Sequence, residues 1–99
     1  MNEFFEELGA LWVTEAEHRG AKIAPPTLDP RVALELLELA RVAAHTRERR
    51  FAPLSCFMAG VAAERLRTSK RDVDEGAIAE YIQEVRQKLE RDGPKDAEW

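Results

Sequence analysis

The chain is 99 residues long, 44% apolar and 34% charged, with a formal net charge of −4. That length fits one domain with one hydrophobic core, and the balance of apolar and charged residues excludes a disordered or collagen-like chain. The single cysteine, Cys56, excludes an internal disulfide and points to a reducing compartment.

Met1 to Glu7 has no basic segment, and acids interrupt its short apolar patch, unlike a secretory signal. No uncharged apolar run nears the ~20 residues that span a bilayer. The expected location is the cytoplasm, with no membrane attachment. Arginine outnumbers lysine 11 to 4 and side-chain amides are scarce, a pattern that suits a thermophile and a GC-rich genome equally.

A first helix is predicted from about Glu3 to Arg19. Asn2 is placed to cap it, and Glu3, Glu6 and Glu7 complement its positive end. Phe4, Leu8, Leu11, Trp12 and Ala16 recur at spacings of three and four, which gives one apolar stripe. Gly20 suits the left-handed residue that ends a helix, and Ala21 to Leu28, with Pro25-Pro26, reads as an extended connector. Asp29-Pro30 restarts the chain as an N-cap followed by proline at the first helical position. The second helix runs to about Thr46, with Val32, Leu36, Leu39 and Ala43 on its stripe.

Arg47 to Ala52 forms a basic connector. The third helix is predicted from Leu54, opened by Pro53, to about Arg67. It is apolar nearly all round, so it is expected at the centre of the core with Phe57 and Val61 buried and Cys56 an inert buried thiol. Gly60 there suggests close approach by another helix. The fourth helix begins with a capping box, Asp72-Val73-Asp74-Glu75, carries its stripe on Ile78, Tyr81, Ile82, Val85 and Leu89, and stops at Gly93-Pro94. Trp99 is expected to dock. No segment alternates with the period of a strand. The expected fold is all-α, a compact bundle of four short helices over residues 1–93 with a tail over 94–99.

Charge is segregated along the chain. Residues 41–71 carry eight basic side chains against Glu48 and Glu64, a local +6, while residues 1–20 carry five acids against Arg19. Helix-end electrostatics and pairing between acidic and basic faces, within one copy or across a homodimer, account for such segregation. An anion site does so as well. Arg41, His45, Arg49, Arg50 and Ser55 cluster in sequence where the second helix gives way to the third, and helix N-terminal amides flanked by arginines accept phosphate. A helix-turn-helix drawn over the same segment lacks polar residues at the start of its recognition helix, so no nucleic-acid partner is expected.

Catalytic patterns are scarce. Glu15 and His18 make one Glu-x-x-His pair, where di-metal bundles use two, so no metal is expected. No Gly-rich phosphate loop or Ser-centred elbow is present, which leaves no cofactor and no enzyme expected. Large apolar side chains at Phe4, Phe5, Trp12 and Trp99 exceed what four short helices cover in one copy, so a homodimer through the first helix or the tail is expected.

The stretch Leu37-Glu38-Leu39-Ala40-Arg41-Val42-Ala43-Ala44-His45, then Arg50, then Ala52-Pro53-Leu54-Ser55 with Phe57, Gly60 and Ala62-Ala63, resembles a small uncharacterised bacterial helical domain family. Its members are often labelled molybdopterin-guanine dinucleotide biosynthesis proteins. The resemblance covers roughly residues 30–65 and implies an association with molybdenum-cofactor assembly, with Arg41, His45 and Arg50 as its matched polar positions. The expected function is a non-catalytic helical accessory or interaction domain whose partner is itself or a protein of that assembly. An anion-binding module and a structural homodimer subunit are the alternatives.

Overall fold

The computed structural model describes residues 3–92, and the expectations for Asn2, the Gly93-Pro94 stop and Trp99 lie outside them. Four helices account for the regular structure: α1 (Glu3–His18), α2 (Pro30–Thr46), α3 (Phe51–Ser69) and α4 (Glu75–Asp92). The fold is all-α, with no strand among the described residues. Contacts divide the chain into two compact units, Met1–Pro30 and Arg31–Trp99.

In the first unit, α1 ends as its sequence suggests. Gly20 adopts φ +80°, the Ala21 N–H donates to the Ala16 carbonyl at 2.9 Å, and the Gly20 N–H donates to the Glu17 carbonyl at 3.0 Å. This bond pair satisfies carbonyls that the helix end would leave open, and a residue without Cβ takes the left-handed position at no steric cost. The connector then returns along α1 at Gly9, where a Cβ would stand 3.0 Å from the Pro26 carbonyl oxygen. Gly9 is the buried residue of α1. The stripe itself is largely open, with Phe4, Leu11 and Trp12 exposed and Leu8 half-buried.

In the second unit, α2 and α4 build the core. Val32 and Leu39 of α2 pack with Ile78, Ala79 and Ile82 of α4, and α3 adds only Ala63 among fully buried members. Thr46 is the buried polar residue, and its hydroxyl donates to the Val42 carbonyl at 2.7 Å, so it leaves no unmet donor. Beside the core, a half-buried ion-pair ladder joins the same two helices. Arg86 donates to Glu35 at 3.3 Å and to Glu90 at 3.5 Å, while Gln83 donates to Glu35 at 3.4 Å.

Two expectations are corrected here. The third helix is not the centre of the core: Phe57 is 74% exposed, Met58 71% and Leu54 61%, while Val61 is half-buried. An all-round apolar helix carries no directional signal, and the small residues settle its rotation. Ala59 and Ala63 face the core with Leu66, because small side chains let helix backbones approach closely, and the large side chains then point away. Cys56 lies only half-buried, with its S–H donating to the Leu36 carbonyl at 3.6 Å.

The second correction concerns helix starts. Helix α3 begins at Phe51, so Pro53 sits within its first turn, where a missing N–H costs no bond. The Phe51 and Ala52 N–H groups donate to the Glu48 and Arg49 carbonyls at 2.9 and 3.2 Å. Helix α4 begins at Glu75, two residues later than a box on Asp72 implies. Asp74 is the cap: its Oδ1 accepts the Ala77 N–H at 2.8 Å and its carbonyl accepts the Ile78 N–H at 3.0 Å. Asp72 instead takes φ +62°, a left-handed position that aspartate tolerates better than most side chains.

Candidate functional site

The five residues of the basic junction occupy different settings. Arg41 lies on the exposed side of α2, paired with Glu38 at 3.0 Å and Glu90 of α4 at 3.4 Å. The hydrogen bond that its guanidinium donates to Glu38 is the first cause that holds its pKa above the usual value. Arg50 pairs with Glu48, two residues before it. His45 and Arg49 are exposed, at the end of α2 and in the connector. Ser55 is half-buried and, alone of the five, lines an apolar groove. Carboxylates therefore offset the charge at two of the three arginines. With α3 starting at Phe51, the Leu54 to Cys56 amides fall within the helical ladder rather than at its open end.

That groove is the most apolar concave feature of the second unit. It holds 280 Å³ between α3 and α4 and is floored by Leu39 and Ile82, with Met58, Tyr81, Val85 and Leu89 on its walls. A shallower extension of 610 Å³ continues along α3 past Phe57, Val61 and Leu66 to Ser69, sharing Met58, Ala62 and Tyr81 with the first. The local sequence explains it. Ala59 and Ala62 line the groove with little bulk, and Met58 and Tyr81 border it as larger side chains.

Exposed apolar area is what distinguishes this surface. Phe57, Met58 and Val85 line the groove or its extension and are exposed, and Phe51 and Leu54 are exposed earlier on α3. Large apolar side chains gathered at one groove mark a contact surface. The expectation of a buried Phe57 hid this surface. The spacing of Ala52, Cys56, Ala59 and Ala63 on one arc of α3 was the available signal, since it marks the close-packing side and leaves the large residues opposite.

Reactive chemistry has little to work with elsewhere. Among the described residues no group of three His, Cys, Asp or Glu side chains is placed to hold a metal ion. Glu15 and His18 stand 3.4 Å apart on the exposed end of α1. Burial pushes the Cys56 thiol up, away from the thiolate that a nucleophile requires. No helix of the described residues is long and apolar enough to cross a membrane.

Fold and groove together define a small all-α domain whose salient surface is apolar. The chain belongs to the DUF6457 family, a domain of unknown function, which it matches over residues 5–97. No curated protein and no solved structure matches it. The family match carries no activity, ligand or pathway.

Proposed function

We propose that this is a non-catalytic helical interaction domain, and that the α3–α4 groove receives an amphipathic helix with an acidic polar side. The observation that supports this reading is Met58, 71% exposed beside a groove floored by Leu39 and Ile82. A side chain of that kind, flexible and polarisable, adapts well to an incoming apolar helix. Arg65 lines the α3 side of the extended groove. It is the charged side chain among the residues lining the groove and its extension, which makes that rim basic. The resemblance of residues 37–63 adds an expected context, molybdenum-cofactor assembly, and proteins of that assembly are the first heterologous partners to try.

Calorimetric titration of an acidic amphipathic helical peptide into the full chain tests the reading. Saturable binding with a negative heat-capacity change, lost in Met58→Glu, supports it. Absence of binding to the chain diluted until it is monomeric, or equal binding by both proteins, refutes it.

A further inference from the structure

We infer that the helix received by this groove is α1 of a second copy, which makes the protein a reciprocal homodimer with two helix-in-groove contacts. The inference rests on the docking reading above and names the occupant. Three observations carry it.

The first is that α1 offers what the groove lacks. Phe4, Leu11 and Trp12 remain exposed on one side of α1. Phe4 and Leu11 stand seven residues apart, two turns along one side, and Trp12 adjoins Leu11, a pattern of the kind that seats a helix in an apolar groove. The connector covers the Gly9 side, so the open stripe is a separate arc of the same helix.

Charge supplies the second. Residues 1–30 carry six acids against Arg19 and Lys22, so the first unit holds the whole net charge of −4. Glu7 and Glu15 lie beside the open stripe by helical spacing, and Arg65 is the charged side chain among the residues lining the groove and its extension. An acidic helix entering a net basic rim is favoured over the reverse pairing.

Size supplies the third. Helix α1, with 16 residues, is about 24 Å long, and the groove with its extension runs from Ser55 to Ser69, about 21 Å along α3. Phe4, Leu11 and Trp12 keep 60%, 60% and 55% of their surface open, roughly 300 Å² in all, so two reciprocal contacts that hide about that much on each side bury about 1,200 Å², the lower end of a standard interface of ~1,200–2,000 Å².

Light scattering of the full chain across the micromolar range is the test, joined to a mixing experiment. The expected mass is twice 11.2 kDa. Met58→Glu and Trp12→Glu replace exposed side chains, so each protein should keep its helical circular dichroism while associating about tenfold more weakly or worse. Mixing the two variants restores one intact contact, because one supplies α1 and the other the groove. Association stronger in the mixture than in either variant alone supports the inference. A monomeric wild-type mass overturns it, and so does a dimer whose variants fail to complement, which indicates pairing of like helices. Helical-peptide binding by a monomeric wild type would leave the docking reading standing while this inference falls.

Discussion

Placing the core on α2 and α4 predicts sharply different costs for two truncations. Ile78 is 1% exposed, and Ile78→Ala removes three carbon groups worth ~0.8 kcal/mol each, about 2.4 kcal/mol of transfer energy. A partly relaxed cavity of roughly 40–70 Å³ adds ~1–1.7 kcal/mol at ~24 cal/mol per Å³. The total of about 3–4 kcal/mol corresponds to a fall in Tm of roughly 12–30 °C for a domain of this size. Phe57 keeps three quarters of its surface in water, so Phe57→Ala loses only about a quarter of the ~1.5–3 kcal/mol of a buried ring, near 0.5 kcal/mol. Thermal unfolding of dilute protein, followed by far-ultraviolet circular dichroism, reads both. If Phe57→Ala proves as damaging as Ile78→Ala, α3 is rotated the other way and the exposed surface described here does not exist.

The half-buried Glu35–Arg86 pair predicts non-additivity: Glu35→Gln should cost about 1–3 kcal/mol by leaving Arg86 with Glu90 as its remaining carboxylate in the ladder, and Glu35→Gln with Arg86→Met should cost less than the sum of the two single changes in urea denaturation. Asp74→Ala should lose about 1 kcal/mol of capping, while Asp72→Gly should be nearly neutral or stabilising; equal losses would contradict the register of α4. Cys56 should react slowly with thiolate-directed reagents at neutral pH. Because burial raises its folded pKa, the stability it contributes is present below the ordinary thiol value and is lost as pH rises through the folded value. A Cys56→Ala variant with the same alkaline stability profile as wild type would refute that assignment.

Helix number, type and most boundaries were legible because their signals are local. Gly20 ended α1, Pro30 opened α2, and the spacing of Ile78, Ile82 and Leu89 identified the inward side of α4. What local pattern failed to supply was direction. A helix with Leu54, Cys56, Phe57, Met58, Val61 and three alanines has no polar side to point outward, so composition suggested full burial. The backbone of α3 settled that question by approaching on its small residues. The α4 cap was misplaced for a related reason. Asp72 fits the box spacing to Glu75 better than Asp74 fits Ala77, yet the chain leaving α3 needs a left-handed residue at Asp72.

The basic junction was legible as charge and illegible as geometry. Sequence counts Arg41 and Arg50 as cations, but Glu38, Glu48 and Glu90 stand within ion-pair reach of them, and one of those three lies on α4. Local spacing finds Glu38 and Glu48; only the packing of α2 against α4 brings Glu90. The apolar groove has the opposite history. Its residues looked like core because hydrophobicity alone does not separate a buried side chain from one that awaits a partner.

Met58 offers the most direct reading of the docking surface. The chain has two methionines, Met1 and Met58, so a methyl-labelled sample gives a spectrum with one signal from the groove wall. Titrating a helical peptide of residues 3–19 into labelled Trp12→Glu protein, whose groove is intact and whose own α1 is disabled, should move the Met58 methyl resonance saturably. A Met58 signal that stays in place at peptide concentrations where binding is complete, or where none occurs, would contradict the claim that this groove receives a helix.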